Sequence, residues 1–198
     1  MTLWQVIDSR FMQAVVAGGF LALGWIVTGA QNRRADVRRR EERLRDYHRA
    51  LYAEIAAHLG NLGTAEELRA YRDHMLSRMM DEGHVPLIPT ERNATVYAAM
   101  MEDLSILPRV TIDPIVIYYA GLEARDALVS DMRGERFRAL EPESRAEMYQ
   151  DYIDMKLQTL KDGAYALDMI AAFAEGGKVA AERRRAALSI RDGDPSGR

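Results

Sequence analysis

The pattern of apolar and polar positions begins with an uncharged segment and continues as a series of amphipathic helices. Residues 11–32 carry no charged side chain, and an arginine-rich stretch follows directly. An apolar helix of about 20 residues matches the roughly 30 Å hydrocarbon thickness of a bilayer. The sequence therefore predicts a transmembrane anchor over residues 1–32, whose helix continues into the next segment.

Helix signals recur through residues 33–177. Gly63 ends the first helix, and Thr64 with Glu67 forms a capping box that opens a second, which predicts a helical hairpin. An extended proline-containing crossing over residues 84–90 precedes a third helix over residues 91–104. Asp113 followed by Pro114 marks the start of a fourth helix, and Pro142 that of a fifth. The faces expected in the core hold Leu44, His48, Leu51, Ile55, His58 and Leu62 on the first helix, Leu68, Tyr71, Met75 and Met79 on the second, and Ile115, Tyr118, Tyr119, Leu122, Val129 and Met132 on the fourth.

These signals define the predicted fold class. No segment shows sustained alternation of apolar and polar residues, which would indicate a strand. We expect an all-α protein in which an N-terminal transmembrane helix continues into an antiparallel bundle of about four further helices. The bundle covers residues 33–177, and a basic, mobile tail covers residues 178–198.

The charge distribution predicts how the anchor lies in the membrane. Residues 31–50 hold eight arginines against four acidic residues, whereas residues 1–10 hold one of each sign. Because basic flanks stay on the cytoplasmic side, we expect a single-pass protein of the inner (plasma) membrane with its N-terminus outside and its C-terminal domain in the cytoplasm. Anionic lipid headgroups would attract the arginines nearest the bilayer. These membrane-surface candidates are Arg33, Arg34, Arg38, Arg39 and Arg40.

Two other features of the anchor matter. Ala14, Gly18 and Ala22 recur every four residues, so one face of the helix is small enough for another helix to approach, which predicts a homo-oligomer contact. A cleaved signal peptide is the competing interpretation of this segment, with Thr28 and Ala30 before the cleavage site. The long apolar stretch and the single preceding arginine, Arg10, disfavour it.

Catalytic chemistry finds little support in the sequence. The chain has no cysteine, no Gly-x-Ser-x-Gly elbow and no phosphate-binding glycine loop. Glu54 and His58 share a helix face, but His58 falls among the apolar core positions, so a packing role is favoured over a metal site. Residues 51–198 carry a net charge of −7, which argues against nucleic-acid binding. The sequence therefore predicts no enzyme activity, no metal and no cofactor.

Three stretches resemble a known kind of protein. ALYAEIAAHLGNL, TVYAAMMEDLSILP and IVIYYAGLEA, placed after a basic segment that follows an apolar span, resemble uncharacterised single-span bacterial inner-membrane proteins with a helical cytoplasmic domain. The resemblance covers residues 11–128. It implies an architecture and a location, and brings no activity.

Two functional hypotheses remain. The favoured one is a membrane-tethered, non-catalytic interaction or scaffold module, for which the sequence singles out a partner surface beside the proline loop. The alternative is a small envelope or phage-lysis protein of spanin type, whose helical domain would lie in the periplasm. That alternative requires the arginine cluster to cross the membrane, which the charge rule disfavours. The partner-surface residues are Met80, Tyr97, Met100 and Met101.

Overall fold

Helices account for most of the chain. The computed structural model describes the backbone of residues 9–91 and 94–192, and within these ranges the side chains of residues 31–189 together with Trp25 and Thr28. In this part of the chain the fold is all-α, with six α-helices, one 3₁₀ helix and no strand. The elements are α1 Ser9–Leu62, α2 Ala65–Glu82, α3 Thr95–Met100, the 3₁₀ helix η1 Met101–Ile106, α4 Arg109–Met132, α5 Glu135–Ala139 and α6 Pro142–Asp192.

The chain forms two compact units, residues 1–44 and residues 45–198. In the first, every residue from 31 to 43 is exposed on the α1 helix. Among the residues that the structure describes, no helix is both long enough and apolar enough to span a membrane. The side chains of residues 11–24, on which the predicted anchor depends, lie outside this described part.

In the second unit, α1 and α2 both run antiparallel to α6. His48 near the start of this unit contacts Phe173, and Leu59 lies beside Gly163. Farther along, Arg72 of α2 pairs with Asp154. The expectation of a hairpin between α1 and α2 is therefore wrong. Gly63, with a positive φ of 76°, turns the chain without reversing it.

A return segment, residues 83–108, leads from the end of α2 back along α1 to the start of α4. The predicted third helix is shorter than expected: α3 begins at Thr95 and passes into η1 at Met101. Residues 92 and 93 of the prediction lie outside the described residues. The fourth helix begins at Arg109, five residues before the start predicted from Asp113 as cap, because Pro108 occupies the extended N-cap and its carbonyl accepts the backbone N–H groups of Thr111 and Ile112.

The predicted core faces are largely confirmed. All six residues assigned to the α4 face are buried, and on α1 only Leu44 of the predicted set is not fully buried. On α2, Leu68, Met75 and Met79 are buried, whereas Tyr71 is 53% exposed. Helical periodicity therefore identified these apolar faces correctly, apart from the half-buried Leu44 and the exposed Tyr71.

The C-terminal part of α6 differs from the mobile tail that the sequence predicted. Helix continues through Asp192, interrupted only at Gly176 and Gly177, where the backbone leaves helical geometry. Gly177 combines φ 64° with ψ −155°, a conformation essentially confined to glycine. The chain then folds back, so that Arg184 donates to Asp168 at 2.8 Å. Residues 193–198 of the predicted tail lie outside the described residues.

Side chains of α1 and α4 pack closely against α6 at Gly163. A Cβ atom at this buried glycine would lie 2.7 Å from Cδ2 of Leu59 and 3.0 Å from Cε2 of Tyr118, whereas one at Gly60 would meet nothing within 4 Å.

Alanine favours a helix over glycine by about 1 kcal/mol, and overpacking costs about 1–3 kcal/mol. We expect Gly163→Ala to lower the free energy of unfolding by about 1 kcal/mol and the control Gly60→Ala to leave it equal or higher. Urea denaturation of both variants measures the difference, and equal effects would contradict the close approach.

Candidate functional site

A cluster of charged side chains joins the return segment to three helices. The Arg125 guanidinium of α4 is 1% exposed, and its Nη2 lies 3.2 Å from Oε2 of Glu91 in the return segment. Lys156 of α6 contacts the other oxygen of this carboxylate, with Nζ 3.0 Å from Oε1. His58 of α1 completes the group, with Nε2 3.6 Å from Oε2. These four residues, His58, Glu91, Arg125 and Lys156, are called the Glu91 cluster below.

Each member of the Glu91 cluster has polar neighbours. Nδ1 of His58 is hydrogen-bonded to the hydroxyl of Tyr118, and its Nε2 lies 3.4 Å from Nη1 of Arg125. Arg125 also lies 3.5 Å from a carboxylate oxygen of Asp126. The His58 imidazole, followed by the charges of Lys156 and Arg125, holds the pKa of the Glu91 carboxyl well below its usual value against the opposing effect of burial. Glu91 is therefore ionised and compensated by several donors at once.

A second carboxylate, Glu54 of α1, lies beside this cluster and holds the start of α3. Its Oε1 accepts the backbone N–H of Val96 at 2.6 Å, and its Oε2 accepts that of Tyr97 at 3.1 Å. The hydroxyl of Tyr119 donates to the same Oε2 at 2.6 Å. Burial, and then this bond to Glu54, raises the pKa of Tyr119 above its ordinary value. Glu54 thus satisfies N–H groups that α3 itself cannot pair.

Tyrosine rings extend this contact. Tyr97 stacks on Tyr119 with ring centroids 3.9 Å apart and an interplanar angle of 7°. Tyr119 in turn meets Tyr118 edge to face at 4.9 Å. Offset and edge-to-face aromatic pairs are favourable beyond their buried area. The rings therefore connect Glu54 to the side of the Glu91 cluster where Tyr118 binds His58.

His48 forms a separate buried contact near the start of the second unit. Its Nε2 lies 3.0 Å from the hydroxyl oxygen of Thr111, and that hydroxyl donates to the carbonyl of Pro108 at 3.1 Å. Since the Thr111 proton is already used, its oxygen accepts, and His48 must carry a hydrogen on Nε2. Burial lowers the pKa of His48 to about 4. The ring is therefore neutral at physiological pH and serves packing.

A surface groove of about 940 Å³ lies between α1 and the two parts of α6. The Arg184–Asp168 pair contributes to its wall. None of the four residues of the Glu91 cluster lines it. The groove and the Glu91 cluster are therefore separate features of the second unit. Apolar lining comes from Tyr52, Leu59, Leu167, Ala171 and Leu188, and basic lining from Lys161 and Arg185.

The structure separates the residues that the sequence singled out as a conceivable metal pair. Glu54 binds the α3 backbone and Tyr119, whereas His58 belongs to the Glu91 cluster. Among the described residues, no three histidine or acidic side chains are placed to hold a metal ion. The two side chains therefore serve different contacts, although they share one face of α1.

The membrane-related candidates occupy α1. Side chains of Ala14, Gly18 and Ala22 lie outside the described residues, so their packing role stays a prediction. The arginines proposed for the membrane surface all lie exposed on the helix. They are Arg33, Arg34, Arg38, Arg39 and Arg40.

The suggested partner surface beside the proline loop is only partly available. Met80 and Met101 are exposed, and Met100 is half-buried. Tyr97 is half-buried against Tyr119 and belongs to the Glu54 contact. Its aromatic ring thus has an internal packing role that the sequence did not reveal.

Sequence reasoning missed the Glu91 cluster, although one of its members left a signal. Arg125 lies three residues after Leu122 and four before Val129, on the face predicted to be buried. A cation at such a position requires an acidic partner, because an isolated buried charge is strongly unfavourable. No spacing rule points to Glu91, which lies in an irregular segment far away in the chain.

Comparisons of the chain with protein-family models, with curated proteins and with solved structures find no match.

Neutralising Glu91 tests the cluster. Glu91→Gln leaves Arg125 and Lys156 without their main counter-charge, and loss of one partner of a buried ion pair costs about 3 kcal/mol. We expect that loss in the free energy of unfolding, measured by urea denaturation. The control Glu82→Gln breaks an exposed pair with Arg78 and should cost less than about 1 kcal/mol. Adding Arg125→Met to Glu91→Gln should recover part of the loss. Equal losses in the free energy of unfolding for Glu91→Gln and Glu82→Gln would contradict the prediction.

Burial of His48 makes stability depend on pH. The unfolded state takes up a proton below pH 6.5, whereas folded His48 remains neutral down to about pH 4. The contribution of His48 to the free energy of unfolding is therefore fully present above pH 6.5. It falls by about 1.4 kcal/mol per pH unit as the pH decreases from 6.5 to about 4. His48→Gln keeps a donor for Thr111 and should remove that slope, whereas exposed His74→Gln should retain it. Unfolding free energies measured from pH 4.5 to 7 check this, and parallel curves for wild type and His48→Gln would contradict it.

Proposed function

We propose that the protein is a membrane-tethered helical scaffold, with residues 45–198 on the cytoplasmic side. The observation that carries the proposal is the arginine-dense exposed stretch of α1 that directly follows the uncharged residues 11–32. Basic residues next to an apolar segment keep their flank in the cytoplasm and attract anionic headgroups. The exposure of Arg33, Arg34, Arg38, Arg39 and Arg40 leaves their guanidinium groups available for such contact.

The interior of the second unit supports a non-catalytic role. Glu91, Arg125 and Lys156 compensate one another's charge, and Glu54 is bound to backbone N–H groups and to Tyr119. Such groups stabilise the path of the chain, and satisfied buried networks make a fold rigid. A rigid helical unit beside a bilayer suits the binding of another protein or of a second copy.

Membrane topology tests the proposal. The chain has no cysteine, so Thr2→Cys and Ser196→Cys each introduce a single thiol. In intact spheroplasts, a membrane-impermeant maleimide should label the variant at Thr2, and should label the variant at Ser196 only after lysis. The physical reason is that eight arginines between residues 31 and 50 oppose translocation.

Two outcomes would contradict this proposal. Labelling of the Ser196→Cys variant in intact spheroplasts would reverse the orientation and favour the periplasmic, spanin-type alternative. Release of the full chain from membranes by alkaline carbonate would contradict the proposed membrane tether. Deletion of residues 1–32 serves as the control, because it should move the protein to the carbonate-released fraction.

A further inference from the structure

The outer face of α4 carries apolar residues that nothing in the described part of the chain covers. Val116 is 40% exposed and Ile117 is 55% exposed, although both lie in the middle of a regular helix. Ala120, Ala124 and Ala127 continue the same face, and all three are exposed. This outer α4 face is the opposite side of the helix from its core residues, and the exposed carboxylates of Asp113 and Glu123 lie beside its apolar residues.

The exposed positions follow the spacing of a helix–helix seam. Successive positions are separated by four or three residues, which places them on one stripe of an α-helix. Large residues occupy its first half and small residues its second half. The basic Arg109 lies at its start and the acidic Asp131 at its end, and the acidic Asp113 lies one turn after Arg109. The stripe is Arg109, Asp113, Val116, Ala120, Ala124, Ala127 and Asp131, each of them exposed.

This arrangement is self-complementary when two copies of α4 run antiparallel about a two-fold axis at Ala120. Val116 precedes Ala120 by four residues and Ala124 follows it by four, so the larger side chain of each copy faces a methyl group of the other. Arg109 and Asp131 are equally distant from Ala120, so each end forms a pair of opposite charges. A parallel arrangement would instead oppose like charges at both ends, which is unfavourable.

We propose that the outer face of α4 is a homodimer interface in which a second copy of the chain packs antiparallel across Ala120. Alanines at the centre let the two helix backbones approach closely, and Val116 of each copy packs against Ala124 of the other. A two-fold contact of this kind uses the same surface on both subunits, as most homodimers do. The interface lies within residues 109–131 and goes beyond the tether, since it does not require the orientation proposed above.

Charge reversal at the ends tests the antiparallel register. In the full-length protein in detergent micelles, Arg109→Asp and Asp131→Arg should each weaken dimerisation in sedimentation measurements, because each opposes like charges across the axis. The double variant exchanges the two signs and should restore the wild-type dissociation constant. Both positions are exposed, so the folded monomer should tolerate each change. Failure of the double variant to recover would overturn the proposal.

A substitution on the axis tests the centre. Ala120→Arg places two cations opposite each other and should raise the dissociation constant by about 100-fold. The matched control is Ala70→Arg, at an exposed alanine of α2, which should dimerise as wild type does. A dissociation constant of Ala120→Arg equal to that of the wild type would overturn the proposal. This holds even if the chain also associates through residues 11–32, because the α4 face would then contribute nothing to dimerisation.

Cross-linking in membranes gives an independent readout. Because the chain has no cysteine, Ala120→Cys should form a disulfide-linked dimer on mild oxidation, whereas Ala70→Cys should not. A mixture of Val116→Cys and Ala124→Cys proteins should cross-link as a heterodimer more efficiently than either protein alone. Cross-linking of Ala70→Cys as efficient as that of Ala120→Cys would indicate random collision and would overturn the proposal.

Discussion

Burial of the Arg125 charge is the constraint on which the rest of the second unit depends. A guanidinium with almost no solvent exposure requires a carboxylate nearby, and Glu91 supplies it from the return segment. Lys156 and His58 bring α6 and α1 to the same carboxylate. The ion pair therefore fixes the point at which the chain crosses back over the bundle.

The consequences extend along the return segment. Once Glu91 is held, the following residues lie beside α1, where Glu54 binds the first N–H groups of α3 and Tyr47 donates to Asp103 of η1 at 2.5 Å. This route delivers α4 to its start opposite His48, so α4 runs parallel to α1 and antiparallel to α6. Stacking of Tyr97 on Tyr119 then connects the return segment to the middle of α4. Polar contacts set the path, and apolar faces stabilise it.

Because the charges of the Glu91 cluster compensate one another, the surfaces available for recognition lie outside this cluster. In the described part of the chain they include the exposed stretch of α1, the groove beside the folded-back end of α6 and the outer face of α4. The α4 face combines apolar exposure with a basic and an acidic residue, Arg109 and Asp131, at equal distances from Ala120. Dimerisation through α4 would leave the groove free, because no residue that lines the groove belongs to α4.

Local sequence signals predicted much of the fold and little of the charged site. The Thr64–Glu67 capping box forms as expected, with Glu67 accepting from the Thr64 N–H at 2.7 Å, because a cap needs only neighbouring residues. Glycine and proline marked helix ends within a few residues, although Gly63 gave no information on the angle between α1 and α2. The Glu91 cluster joins residues from four separate segments, and no spacing in the chain relates them.

The sequence by itself determined that the chain is helical, where its apolar faces lie and that its basic charge is concentrated after residues 11–32. These properties depend on neighbours within a turn or two of helix, which the order of residues specifies directly. Only the tertiary structure decided that α2 continues along α6, that residues 178–192 fold back and that Glu91 compensates Arg125. Such features depend on contacts between residues far apart in the chain, for which many compact arrangements compete. The need to compensate the buried charge of Arg125 favours one of these arrangements.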